Sequence, residues 1–263
     1  LLLKHFSSIE EIGFYGAAFS IGGLILVLGT QIGVIFFPLF SQYIANGDWD
    51  KVKDIITQYQ EFLLLFVFPF VCFLGIISKP FIILVYGDAY SKSVTPFSLL
   101  IFSSYVMLFQ LPFANTITGA GKFYWYTFIT FFKGVIYFTL LTLFLAPNLL
   151  GLGAVGLAAG NLSTNIILTI IYIFLSFKIL RKIHFGRIFY LYIYIGIITL
   201  SLIFLEQKFT WDTSTTVYVA VGFLLTLYAL LIYFKVITQN HKKTFLQLIS
   251  IGKLKQYIRN ELN

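Results

Sequence analysis

Apolar residues run along this chain in stretches of twenty or so, broken by short polar links. About 20 helical residues cross the hydrocarbon layer of a bilayer, so each such stretch predicts a spanning helix. Seven are present, at about 15–42, 59–85, 95–116, 123–146, 151–177, 188–205 and 214–235. The links at 41–54, 86–95, 119–122, 146–151, 178–187 and 206–214 are too short to hold an extramembrane enzyme domain. The expected fold class is all-α: a polytopic membrane helix bundle of about seven transmembrane helices.

The polar exceptions inside the apolar runs carry the chemical information. Lys133 stands ten residues into the run that starts at Phe123, roughly 15 Å along a helix and near the middle of a layer about 30 Å thick. A lysine there costs at least about 2.5–3.5 kcal/mol on insertion scales unless it meets water, a partner or an anion. Thr127, Thr130, Lys133 with Gly134, and Tyr137 recur at three- and four-residue steps and form one polar face. That face is expected to turn inward. Glu61 lies near the end of its expected span, so no carboxylate stands at the centre of another run to neutralise the lysine. Two placements stay open: a wet or anion-bearing cavity, or snorkelling to the inner headgroups. A second stripe, Asn161, Asn165 and Thr169, repeats every four residues. It serves either interhelical hydrogen bonding or the lining of a transport path.

Composition and charge fit this picture. Hydrophobic residues make up 59%, charged residues 11% and aromatic residues 19% of the chain, with a mean hydropathy of +0.92. That exceeds what a water-soluble core of this length hides. The formal charge of +8 would point to nucleic acid in a soluble protein, but here the cations sit at 178–187 (Lys178, Arg181, Lys182, His184, Arg187) and from Lys235 onward, beside apolar runs. Anionic headgroups are the partner this placement implies, and it sets 178–187 and the tail on the cytoplasmic side. The 206–214 link, with Glu206, Lys208 and Asp212, then falls outside. The tail places Phe245, Leu248, Ile249, Ile251, Leu254, Tyr257 and Ile258 near helical spacing, either as an amphipathic helix on the inner leaflet or as a disordered basic segment interrupted by Gly252.

Other motifs are set aside for physical reasons. "GLGAVG" at 151–156 has the letters of a dinucleotide fingerprint, but it follows a lipid-length helix and lacks the later acidic residue. Its small residues instead allow helices to approach closely. The sequon at Asn161 lies inside a span. Cys72 is the single cysteine, in an apolar run, which excludes an internal disulfide. His5, His184 and His241 are scattered and no ligand spacing occurs, so neither a metal nor a cofactor is expected, and no catalytic constellation favours an enzyme.

"SSIEEIGFYGAAFSI", "FPLFSQYIANGD", a central Pro69, "SKPFIILVYGDAYSKS", "TITGAGKFYW" and "LAPNLLGLGAVGLAAGNLST" occur in order between about residues 7 and 165. Together they resemble the second half of the polysaccharide-export flippases (Wzx-like) of the multidrug/oligosaccharidyl-lipid/polysaccharide exporter superfamily. The resemblance implies fourteen helices in two six-helix lobes plus two trailing ones. Residues 1–177 would then be the C-terminal lobe with its first helix truncated, 178–236 two additional spans, and 237–263 the basic cytoplasmic tail; the N-terminal lobe would lie outside this sequence. It also implies a bacterial cytoplasmic membrane location and transfer of an undecaprenyl-pyrophosphate-linked oligosaccharide between leaflets by alternating access. In that setting Lys133 is expected to hold pyrophosphate or an acidic sugar, with Tyr137, Thr130, Gln31, Asn161 and Asn165 as further substrate contacts. The rival readings are a small-molecule exporter of the same superfamily and a membrane-embedded glycan polymerase or acyltransferase.

Overall fold

The computed structural model describes residues 8–180, 195–199, 201–202 and 212–233, leaving aside the side chains of 28–39 and 230–233. Helices α1 (Ile9–Ala45), α2 (Trp49–Ile76), α3 (Ser78–Tyr86), α4 (Val94–Gly119), α5 (Phe123–Leu145), α6 (Gly153–Leu180) and α7 (Thr213–Tyr233) follow in order, and no strand occurs among the described residues. Five of them are long and apolar enough to cross a membrane, and α7 has a shorter apolar stretch, Thr213–Ala229. The chain is a polytopic helical membrane protein. The basic loop beyond Leu180, most of the expected 188–205 span and the tail from residue 237 lie outside the described residues.

The second expected span is misplaced in the sequence reading, which ran it from 59 to 85. The helix starts ten residues earlier, at Trp49, and stops at Ile76. Its first half looks polar because Lys51, Lys53, Asp54 and Thr57 are interleaved with apolar residues, yet Val52, Ile55, Ile56 and Tyr59 recur at helical spacing and are buried. Glu61 is therefore in the middle of this helix, just before its unbroken apolar run, and not near an end. The helix stops where Pro80 would press its ring on the Ile76 carbonyl, and Pro80 instead enters the first turn of α3. Pro69 acts inside α2. Leu63–Val67 widen into a π turn ahead of it, the Phe68 N–H reaching back five residues to the Leu63 carbonyl.

The core sits around α4, whose most extensive packing is against α6 and α1. Pro112 supplies no N–H to the Leu108 carbonyl four residues earlier. Tyr59 of α2 fills the gap: its hydroxyl donates to that carbonyl at 3.1 Å, and the neighbouring Gln60 amide donates to the Phe109 carbonyl at 2.9 Å. In hydrocarbon, where no water can serve instead, this pairing ties α2 to the kink in α4. At the start of the chain Ser8 caps α1, accepting from the Glu11 N–H at 3.4 Å. Glu11 in turn accepts the Ala154 N–H at 2.7 Å on its Oε2, placing a carboxylate at the positive end of α6. Gly153, with φ +54°, makes room, since a Cβ there would stand 2.6 Å from Glu11 Oε2.

The Tyr59–Leu108 bond gives a double-mutant prediction. Tyr59→Phe lowers unfolding stability in detergent by about 1 kcal/mol. Pro112→Ala, which restores the N–H, removes most of that loss when the two are combined. A Tyr59→Phe cost that is the same in both backgrounds contradicts the pairing.

Candidate functional site

The turn at 146–152 folds α6 back along α5. Gly156 lets the two helices meet closely, since a Cβ there would be 2.8 Å from the Phe144 carbonyl oxygen. This antiparallel register sets Lys133 and Tyr137 of α5 opposite Asn161, Thr164 and Asn165 of α6, around a cavity of about 350 Å³. α1 and α4 close its other sides. α1 contributes Phe19, Gly22 and Gly23, and a Cβ at Gly23 would meet nothing within 4 Å. Gly22 sits against α4, where an added Cβ would stand 3.1 Å from Leu100 Cβ, and its carbonyl accepts the Ser104 hydroxyl at 3.1 Å.

A hydrogen-bonded triangle forms one wall. Ser103 Oγ donates to Asn161 Oδ1 at 2.7 Å, and Asn165 Nδ2 donates to Ser103 Oγ at 2.9 Å and to Asn161 Oδ1 at 3.0 Å. Thr169 Oγ1 continues the stripe, donating to the Asn165 carbonyl at 2.7 Å and approaching Gln110 Oε1 at 3.4 Å. The stripe bonds α6 to α4, as the first of the two expectations held, and two of its residues, Asn161 and Asn165, line a cavity. Asn165 is only 5% exposed, and its Oδ1 accepts no hydrogen bond among the described residues. Lys133 is half-buried in the same cavity, and the ion pairs among the described residues, Asp48–Lys51 and Asp50–Lys53, do not involve it. The site therefore offers a cation, a phenol and an orphaned amide oxygen. A ligand that brings negative charge and a hydroxyl donor satisfies both unpaired groups.

Of the six expected site residues, four line this cavity: Lys133, Tyr137, Asn161 and Asn165. Thr130 does not. It is exposed one turn earlier on α5, and its hydroxyl is turned back to the Tyr126 carbonyl at 2.9 Å, the usual outlet for a threonine inside an apolar helix. Gln31 belongs to α1, but its side chain lies outside the described residues. Ser103 and the small α1 residues were missed. The hydroxyl pair in "LLIFSSYVML" was visible under the rule applied to Asn161, whereas nothing local marks Gly23 as facing a cavity. Among the described residues no three His, Cys, Asp or Glu side chains converge on a metal position.

The fold and this site define a polytopic membrane protein with a polar, cationic hollow inside its helix bundle. Residues 1–95 match the model of a family described as polysaccharide biosynthesis protein, which connects the chain to polysaccharide biosynthesis and supports the resemblance over that stretch. The match covers the α1 side of the cavity and stops before α5 and α6. Comparisons with curated proteins and with solved structures found no match.

The single buried cysteine makes the cavity testable by thiol labelling. In a Cys72→Ala background, Gly23→Cys reacts with small methanethiosulfonates from the aqueous phase, while Phe70→Cys on the exposed face of α2 stays unlabelled. The anionic reagent reacts roughly tenfold or more faster than the cationic one because the lysine concentrates anions. Lys133→Ala removes that preference; equal rates for both reagents at Gly23→Cys mean that the hollow is not cationic.

Proposed function

We propose that the chain is one lobe of a flippase that moves undecaprenyl-pyrophosphate-linked oligosaccharide across the bacterial cytoplasmic membrane by alternating access, without catalysing a covalent step. One observation carries this reading: a lysine with no ion pair among the described residues shares a cavity at mid-helix depth with a buried amide oxygen that accepts no hydrogen bond among them. The match to a polysaccharide biosynthesis family over residues 1–95 supports it.

In this mechanism Lys133 attracts the pyrophosphate or an acidic sugar as a mobile point charge, suited to anions that must be released again. Asn165 Oδ1 accepts from a sugar hydroxyl, Asn161 presents its amide beside it, and Tyr137 offers a ring face and a hydroxyl. A second lobe completes the cavity and rocks against this one, while the prenyl chain stays in lipid. The lipid-linked oligosaccharide, the surrounding lipids and that N-terminal lobe are the partners this reading requires.

The test is glycan export in cells carrying substitutions in the native gene. Lys133→Ala is expected to reduce surface glycan about tenfold or more, the loss of one charge-assisted contact, whereas Lys133→Arg retains most of it. Full export by Lys133→Ala removes the lysine from the mechanism.

A further inference from the structure

A second hollow lies between α5 and α6, with no residue in common with the Lys133 cavity. It is a groove of about 450 Å³ with wholly apolar walls: Trp125, Phe128 and Phe132 of α5, and Ile170, Phe174 and Leu175 of α6. Of these, Trp125, Phe128, Phe132, Ile170 and Phe174 remain exposed. Exposed apolar surface on spanning helices meets lipid chains in general; what sets this groove apart is the charge at one end. The start of α5 and the end of α6 lie together, the Tyr126 and Tyr172 rings 6.4 Å apart. There Lys178, one turn beyond Phe174, lays its ammonium 4.6 Å from the centre of the Phe174 ring. Lys122 occupies the cap position of α5, where no side chain accepts the first N–H groups and no acidic residue stands in the first turn. Lys178, in the last turn of α6, thus stands at this end of the groove near the uncapped start of α5, and the ion pairs among the described residues include neither Lys178 nor Lys122.

We propose that this groove binds one anionic phospholipid, an acyl chain lying between the aromatic walls and the headgroup phosphate resting on Lys178 and the α5 N-terminus. The geometry separates this ligand from its alternatives. A soluble anion gains nothing from the apolar walls, and a neutral lipid gains nothing from the cations. Basic pockets between spanning helices hold anionic headgroups in this way. α5 packs mainly on α6, so a seated lipid braces the helix that carries Lys133.

The test uses the protein as cells produce it, purified in mild detergent, stripped of lipid, and titrated with phosphatidylglycerol and with phosphatidylcholine of identical chains while native mass spectrometry counts bound lipid. Phosphatidylglycerol is expected to bind about fivefold tighter or better, the contribution of one ammonium near an anionic headgroup. Lys178→Ala removes most of that preference and Lys178→Arg keeps it. Ile170→Trp, which fills the groove from an exposed position, weakens both lipids alike. Phe174→Leu keeps the walls apolar but removes the ring beneath the ammonium, and lowers the preference by an intermediate amount. A preference that survives whole in Lys178→Ala, or lipid binding indifferent to Ile170→Trp, overturns the proposal. Tighter binding of undecaprenyl phosphate than of phosphatidylglycerol also overturns it, because the groove would then serve a prenyl chain.

Discussion

Ser103, Asn161 and Asn165 form a triangle of three hydrogen bonds, two of which join α4 to α6, and the site takes its shape from that triangle. Each of these groups would lose its solvent partner on entering hydrocarbon, so each must find one in the protein or leave an acceptor without a donor. The triangle satisfies the donors first: the serine hydroxyl and the Asn165 amide both point into it. That leaves Asn165 Oδ1 over. The cavity's demand for a donor is thus a remainder of the packing that holds α4 to α6. Loosening α4 from α6 would let the asparagine turn and would abolish the demand along with the wall.

The prolines show the same constraint acting on the backbone. Pro112 withholds an N–H from Leu108, and the structure recovers the carbonyl with a phenol from α2. Pro69 is accommodated by widening α2 into a π turn, and Pro80 by ending that helix altogether. Three prolines meet three different solutions because their surroundings differ: Pro112 has a buried neighbour able to donate, Pro69 has room to dilate within its own helix, and Pro80 lies where the chain can turn.

The polytopic all-helical class was legible because the length of apolar runs reports directly on the bilayer. Lys133 and the asparagine stripe were legible for a related reason: a polar side chain in such a run is costly enough that its presence implies a partner. The start of α2 was misread because the linear order "WDKVKDIITQYQEF" alternates polar and apolar residues, and its amphipathic face becomes visible only when wrapped at 3.6 residues per turn. Thr130 shared the lysine's face by spacing, yet a threonine can satisfy itself on its own helix and so need not follow its neighbours into a cavity. Gly23 could not have been found. An absent side chain has no periodicity, and its value depends on what stands across from it.

The helices also divide the work mechanically. The acceptor wall belongs to α4 and α6, which share the most extensive packing among the described residues. The cation belongs to α5, which is among the least buried of the spans and leans mainly on α6. Gly134, beside the lysine, meets nothing within 4 Å of a would-be Cβ and lowers the local helix stability. In the proposed mechanism, a charge carried on the less packed helix follows an anion through a change of shape while the wall of α4 and α6 stays in place. A rigid cation would hold its ligand at one depth, and a mobile acceptor wall would lose its selectivity. Under the proposed function, in which the site attracts a charged, hydroxylated ligand and then releases it, an ammonium on a sparsely packed helix facing an amide oxygen on the best-packed pair suits both steps.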